Sequence, residues 1–151
     1  MLVAEEREMM SGEGNKALVR RYLEEVYNKK NMAAIDELIA PNFVAHAYGP
    51  PTDREGYKQL LGLLFTAFPD YHLTVEDVVA EGDKVAVRFM WRGTHKGEFA
   101  GISPTSKQLT VAAMTIHRVE DGKVAETWGL VDRLGQMQQL GVVPSPGQPG
   151  E

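Results

Sequence analysis

The chain has 151 residues, 43% of them hydrophobic, and a formal net charge of −5. Its length and composition predict one globular domain with one substantial core, and its acidity disfavours nucleic acid and anionic membrane surfaces as partners. The chain contains no cysteine, which excludes disulfides, thiol nucleophiles and thiolate metal sites.

The two ends of the chain read as appendages of this domain. Residues 1–14 are acidic and end in Ser-Gly-Glu-Gly, which predicts a flexible extension. They lack the basic start, apolar core and cleavage site of a signal peptide. Residues 144–151 have the proline- and glycine-rich composition of a disordered tail. Since no apolar run approaches the roughly 20 residues of a membrane span, we expect a cytoplasmic protein whose domain spans residues 15–143.

Helical periodicity dominates the first half of this domain. Apolar residues recur at helical spacing from Asn15 to Asn28, and a second, short helix is predicted from Met32 to Ala40. A third helix is predicted from Arg54 to Ala67, with a wide apolar stripe that begins at Tyr57. Asp53, or the residue before it, is the predicted N-cap of this helix.

After residue 70 the apolar period changes to two, which predicts strands. A brief extended segment at residues 43–47 precedes them, and a short helix at residues 133–140 follows. The predicted strands are Tyr71–Ala80, Lys84–Thr94, Gln108–Val119 and Lys123–Val131. Helices followed by antiparallel strands indicate an α+β fold. The three N-terminal helices need a face to pack on, so we expect a strongly curved, mostly antiparallel sheet that forms a cone-shaped α+β barrel around them.

The stretch Glu-Thr-Trp-Gly-Leu-Val-Asp, residues 126–132, ends the last predicted strand on a carboxylate. Side chains alternate along a strand, so Trp128, Leu130 and Asp132 are predicted to share one face. A carboxylate on an apolar face is costly unless it is paired, exposed or functional. Because Asp132 also stands at a strand-to-helix junction, a role as the N-cap of the last helix is the alternative.

Seven short segments, in a consistent order between about Asn15 and Val143, carry a resemblance to a known family. They are Tyr27–Asn31, Glu37–His46, Phe68–Asp70, Glu81–Arg88, Gly93–Thr105, His117–Trp128 and Asp132–Gly141. On these segments the chain resembles the SnoaL-like polyketide (ester) cyclases of the nuclear transport factor 2-like superfamily. That superfamily's cone also hosts isomerases, dehydratases, epoxide hydrolases and binding proteins, so the fold alone does not assign a function.

The resemblance implies an acid/base mechanism that needs no cofactor. In these cyclases the aspartate that ends the tryptophan-containing strand takes a proton from a carbon flanked by carbonyl groups. The resulting enolate then attacks a second carbonyl group to close a ring. Asp132 occupies the matching position, and an apolar cavity would make its carboxylate a stronger base because burial disfavours the charged form. The implied substrate is a hydrophobic, carbonyl-rich small molecule.

The resemblance also implies a set of substrate-binding residues. Tyr27 matches an aromatic that lines the pocket in the cyclases, and Trp128 is expected to pack beside the ligand; core packing is the alternative for both. The pocket histidine of the family falls at Thr115, so His117 either reaches the pocket from one step along the strand or is structural. His46 stands where the family often places a polar pocket residue, with a satisfied buried histidine as the alternative.

Other kinds of site find less support in the sequence. The four histidines have no metal-ligand spacing, so no metal site is predicted. No Gly-x-Ser-x-Gly motif and no glycine-rich phosphate loop before a helix is present. One alternative function is a non-catalytic module that binds a small molecule on the same cone. A less favoured one is an enzyme like limonene epoxide hydrolase, which would use Arg88 and Asp132 together with a second aspartate that the sequence does not identify.

The strand predicted at residues 84–94 is apolar on both faces, which bears on assembly. An apolar face of a sheet has to be covered by other residues. The helices can cover one face of this strand, so another subunit is expected to cover the other face. We therefore predict a homodimer or a higher homo-oligomer. The residues on one face are Val85, Val87, Phe89 and Trp91, and those on the other include Ala86 and Met90.

Overall fold

The computed structural model describes residues 3–47 and 49–147, without the side chains of residues 8–10. The helices are α1 (Ala4–Tyr22), α2 (Ala34–Leu38), α3 (Arg54–Ala67) and α4 (Arg133–Leu140), and a π-helical turn (Leu23–Asn28) continues α1. The strands are β1 (Ile39–His46), β2 (His72–Glu81), β3 (Lys84–Thr94), β4 (Gln108–Glu120) and β5 (Lys123–Val131). None of the helices in these ranges is long and apolar enough to cross a membrane.

The five strands form one curved, unclosed sheet in the order β1-β5-β4-β3-β2. Neighbouring strands from β2 to β5 run antiparallel, and β1 pairs parallel with β5. The predicted fold class is confirmed: N-terminal helices pack on a strongly curved, mostly antiparallel sheet. Pro41 is tolerated within β1 because this strand lies at an edge of the sheet.

Alternation along the strands decides which side chains enter the core. In β3 the side chains at 85, 87, 89 and 91 are buried, and those between them are more exposed. The core joins these side chains to apolar residues of α1, α3 and the other four strands. The largest of its fully buried members include Tyr22, Phe43 and Phe68. Burial on one face of the sheet therefore holds the helices inside the curve of the sheet.

Two boundaries in the N-terminal half differ from the sequence prediction. Helix α1 begins at Ala4 rather than Asn15, because the glycines that read as a linker only weaken a helix, by about 1 kcal/mol each. A methyl group placed on Gly12 would lie 3.8 Å from Ala80 of β2, so this part of α1 runs along the sheet. Helix α2 ends at Leu38, because residues from Ile39 onward pair with β5. Residues 148–151 of the predicted tail lie outside the described residues.

The segment that follows β3 is fixed against the end of α3. The backbone N–H of Lys96 donates to the carbonyl of Ala67 over 2.8 Å, and the backbone N–H of Thr105 donates to Nδ1 of the buried His95 over 3.1 Å. A Cβ atom at Gly97 would lie 2.6 Å from the carbonyl oxygen of Thr66, so only glycine permits this approach. The close contact positions residues 98–100 opposite α3.

Candidate active site

A cavity of about 590 Å³ lies between α3, the segment after β3 and the start of α4. Its wall is mainly apolar and comes from four leucines of α3 together with Phe99. The polar side chains that reach it include Tyr27, Tyr57, Glu98 and Arg133. The leucines are Leu60, Leu61, Leu63 and Leu64. An apolar wall with a few polar groups is the composition of a small-molecule site.

Three tyrosines meet beside this cavity, and we call Tyr22, Tyr27 and Tyr57 the tyrosine cluster. The hydroxyl group of Tyr57 forms a hydrogen bond with the hydroxyl of Tyr22 and another with that of Tyr27. Burial raises the pKa of Tyr27, and it raises the pKa of Tyr22 and Tyr57 well above the usual range for a phenol. All three hydroxyl groups therefore stay protonated at neutral pH and act as hydrogen-bond donors.

The π-helical turn after α1 makes this cluster possible. Tyr22 ends α1 and Tyr27 follows five positions later, in a turn where the N–H of Lys29 donates to the carbonyl of Glu24 over 2.9 Å. Hydrogen bonding from i to i+5 brings residues five apart towards the same side, whereas an α-helix turns them well apart around its axis. The sequence predicted an uninterrupted helix to Asn28 and gave no sign of the wider turn.

His117 lies behind the tyrosine cluster on the inner face of the sheet. It is 1% exposed, and its ring centroid lies 5.7 Å from that of Tyr22. Its Nε2 is 2.8 Å from Oγ1 of Thr115, and its Nδ1 is 2.9 Å from Oγ1 of Thr127. Burial lowers the pKa of His117 to about 4, so the ring is neutral at pH 7. His117 and Thr115 thus support the cluster from behind, while other residues line the cavity.

This buried histidine predicts a pH dependence of stability. The pKa of His117 is about 4 in the folded chain and 6.5 for an ordinary histidine, so below pH 6.5 the unfolded chain binds a proton that the folded chain does not. The stability that His117 contributes is fully present above pH 6.5 and is lost as the pH falls towards 4. The free energy of unfolding should fall by about 1.5 kcal/mol between pH 6.5 and pH 5.

Urea unfolding at both pH values measures this loss. The matched control is His117→Gln, which keeps hydrogen-bonding groups near both threonines but does not titrate. The free energy of unfolding of the variant should change by at least about 1 kcal/mol less than that of the wild type over this interval. Equal changes in the two proteins would show that His117 does not cause the dependence.

Asp132 is the N-cap of α4. The backbone N–H of Gly135 donates to its Oδ1 over 2.9 Å, and the residue is exposed. This is the alternative role that the sequence left open. Within the described part of the chain, the second carboxylate oxygen accepts no hydrogen bond, so capping does not by itself prevent another role. Asp132 as an acid/base group stays a prediction.

The expectation that Trp128 and Leu130 share a buried face is wrong. Leu130 is 80% exposed on the outer face of the sheet, and the inner positions of β5 are Thr127, Gly129 and Val131. Alternation was predicted correctly but the faces were exchanged, because Val124 and Ala125 are both buried where the pairing with β4 shifts register.

Trp128 and His46 lie together on the outer face. Their rings stack at 5.5 Å between centroids with an interplanar angle of 7°. Nε2 of His46 lies 2.7 Å from Oε2 of Glu126, and Nε of Arg118 donates to Oε1 of the same carboxylate over 3.3 Å. The hydrogen bond from His46, followed by that from Arg118, lowers the pKa of Glu126. Five substrate-binding residues were predicted from the sequence. The structure places Tyr27 in the cavity wall, and His117 and Thr115 lie behind it. Trp128 and His46 lie on the outer face of the sheet, away from the cavity.

Several residues of the cavity were not singled out from the sequence. Tyr57 was assigned only to the apolar stripe of α3, although a hydroxyl in a buried stripe is a signal that it needs a partner. Glu98 lies in a glycine-rich segment whose position opposite α3 depends on tertiary contacts. Across residues 3–47 and 49–147, with the side chains of residues 8–10 left aside, no cluster of three or more histidines and carboxylates is arranged to hold a metal ion.

Comparison with known proteins identifies relatives of this chain in sequence and in fold. A family model for the SnoaL-like polyketide cyclases matches residues 17–140. Nogalonic acid methyl ester cyclase from Streptomyces nogalater is 27% identical over 120 residues, which are 76% of this chain and 89% of that protein. The structure of IdmH from Streptomyces antibioticus, to which a polyketide cyclase role has been attributed, is 34% identical with a TM-score of 0.75, over 84% of this chain and 98% of that chain. The structure of AclR from Streptomyces galilaeus, to which a hydroxylase role has been attributed, is 28% identical with a TM-score of 0.80, over 89% of this chain and 85% of that chain.

Proposed function

The chain belongs to the SnoaL-like polyketide cyclase family, and we propose that it closes a ring in a hydrophobic, carbonyl-rich small molecule, without a cofactor, in the cavity beside α3. The observation that carries this proposal is the cavity itself, about 590 Å³ in volume, with a leucine wall and tyrosine hydroxyls. Its volume lies within the roughly 300–1,000 Å³ typical of ligand pockets. NMR of the leucine methyl groups during titration with a hydroxyanthraquinone tests whether a small molecule binds in this cavity. The relative that is 27% identical is named as a cyclase of nogalonic acid methyl ester, so this ester is the first compound to assay for turnover.

The proposed ring closure is an isomerisation, because no atom leaves the substrate. A carboxylate takes a proton from the carbon between two carbonyl groups, and the C–H electron pair becomes part of an enolate. The enolate carbon attacks the carbon of a different carbonyl group in the same molecule, and a C–C bond forms. The proton then returns to the new alkoxide oxygen. The apolar wall excludes water from the reacting atoms, and donors fixed in place stabilise charge that develops on oxygen.

Two carboxylates are candidates for the proton transfer. The family resemblance predicts Asp132, which caps α4 and directly precedes the cavity residue Arg133 but is not itself among the residues that line the cavity. Glu98 lies in the cavity wall, opposite the leucines of α3. A base has to be within reach of the proton that it takes, and geometry therefore supports Glu98 better than Asp132. Our proposal assigns the transfer to Glu98 and keeps the Asp132 prediction as the competing assignment.

The outer face of the sheet supports a homodimer as part of the proposal. Met114, Ile116 and Leu130 form an apolar patch there, with exposures of 61%, 43% and 80%. Met114 and Leu130 are direct partners across β4 and β5. Ion pairs of Arg88 and of Arg118 with neighbouring carboxylates border the patch, so both charge signs are present around it. A surface with both signs and an apolar centre can complement a second copy of itself about a two-fold axis.

Leu130→Glu should dissociate this dimer. Two-fold symmetry places the substitution in the interface twice, and each glutamate would be buried in an apolar patch without a designed partner. The dimer dissociation constant should rise at least about 100-fold, a change of roughly 2.7 kcal/mol. Sedimentation at micromolar concentration measures the change, and Val3→Glu, at an exposed position just before α1, is the control. A wild-type chain that sediments as a monomer would contradict the dimer.

A further inference from the structure

We propose that Tyr27 and Tyr57 of the tyrosine cluster hold the enolate oxygen of the substrate by directing one hydroxyl proton into the cavity. The inference rests on the proposed function, since it names the group that would stabilise the intermediate of that reaction. It adds a task for Tyr27 and Tyr57 and an orientation for the substrate. The oxygen would face the tyrosines, and the hydrocarbon part would lie against the leucines of α3.

Counting protons in the cluster gives the first step. Three hydroxyl groups carry three protons, and the two hydrogen bonds that join Tyr57 to Tyr22 and to Tyr27 use two of them. Whatever the direction of these two bonds, one hydroxyl proton remains without an acceptor inside the cluster. A buried donor without an acceptor is costly, so this third proton needs an acceptor from outside.

The surroundings of the cluster locate that third proton. Tyr22 is fully buried, and the neighbouring His117 has both ring nitrogens engaged by Thr115 and Thr127. Among the described residues, Tyr22 has one close hydrogen-bond partner, Tyr57, and a weaker hydroxyl contact with Tyr27, which is itself hydrogen-bonded to Tyr57. Tyr22 therefore donates to Tyr57, and the remaining proton lies on Tyr57 or, if Tyr57 donates in turn, on Tyr27. Both of these side chains line the cavity.

The environment makes this donor effective. Burial raises the pKa of all three phenols, so none of them loses its proton at the pH of catalysis. The donor is also fixed by packing, because the rings of Tyr22 and Tyr27 meet edge to face with centroids 5.9 Å apart. A fixed donor stabilises developing charge without reorganisation.

The test uses 2-naphthol at pH 10, where the probe is mostly ionised and its oxygen stands in for an enolate oxygen. Naphthalene, which has the same ring system without the oxygen, is the parallel probe of the apolar wall. The key variant is the double substitution Tyr27→Phe with Tyr57→Phe, because either hydroxyl alone still leaves a donor in the cavity. The matched control is Tyr22→Phe, which also removes one buried hydroxyl but leaves the Tyr27–Tyr57 pair and its spare proton in place.

Fluorescence titration should show that the double variant binds naphtholate about 10–100-fold more weakly than the wild type, the loss expected for one hydrogen bond to a charged group. Its affinity for naphthalene should stay within about threefold, which also shows that the cavity has folded. Tyr22→Phe should bind both probes within about threefold of the wild type. If the double variant binds naphtholate as tightly as the wild type while naphthalene binding is kept, the inference is overturned and the proposed function survives. If the wild type binds neither probe, the cavity is not a ligand site and both are overturned.

Discussion

Glu98→Gln should lower kcat about 10²–10⁴-fold, the usual loss when a positioned acid/base group is removed. Glutamine preserves the size and polarity of the side chain in the cavity wall but cannot take a proton from carbon. KM should change little, because glutamine keeps the apolar wall and the tyrosine hydroxyls intact. Initial rates of ring closure, with substrate and product separated by chromatography, measure the effect. The fold is expected to be unchanged, since Glu98 is exposed.

The matched variant for this experiment is Asp132→Asn. Asparagine caps a helix about as well as aspartate, so the hydrogen bond from Gly135 to residue 132 is expected to persist. We expect kcat to stay within about tenfold of the wild-type value. The opposite pattern, with Asp132→Asn inactive and Glu98→Gln active, would return the acid/base role to Asp132. Full activity in both variants would exclude both carboxylates.

The sequence predicted the order and type of most elements because their signals are local. The strand alternation from β2 to β5 and the apolar stripe of α3 both appear in the structure, and Asp53 caps α3 as predicted. The start of α1 was missed because glycine weakens a helix without ending it. The change from α2 to β1 was misplaced because Ile39 and Ala40 suit either state, and only pairing with β5 decides between them.

The candidate site was harder to predict than the fold, because it depends on contacts between distant elements. Tyr22, Tyr27 and Tyr57 meet only because a π-helical turn follows α1 and because α3 packs beside it. The inner and outer faces of β5 were exchanged because a register shift places two consecutive buried residues before Glu126. One such shift moves every following side chain to the other face of the sheet. The resemblance therefore predicted the correct family, whereas the exchange of the two faces of β5 led to the wrong position for Trp128.

Filling the cavity with a larger side chain should strongly weaken ligand binding. The variant Leu64→Trp adds a bulky ring to the wall that faces Tyr27 and Phe99, so it should compete directly with any ligand there. We expect affinity for a hydroxyanthraquinone, a planar compound with two carbonyl groups, to fall at least about tenfold. The control is Leu130→Trp, which makes the same change on the outer face. Its affinity should match that of the wild type.

The most direct test of a ligand site beside α3 is NMR of the wild-type chain with labelled leucine methyl groups during titration with the same hydroxyanthraquinone. We predict saturable shifts at Leu60, Leu61, Leu63 and Leu64, whose side chains line the cavity, and none at the exposed Leu130 and Leu134. The four shifts should give one dissociation constant, and Leu64→Trp should weaken it. Shifts confined to Leu130 and Leu134, or shifts at all leucines that never saturate, would contradict the account, because the ligand would then bind elsewhere or only nonspecifically.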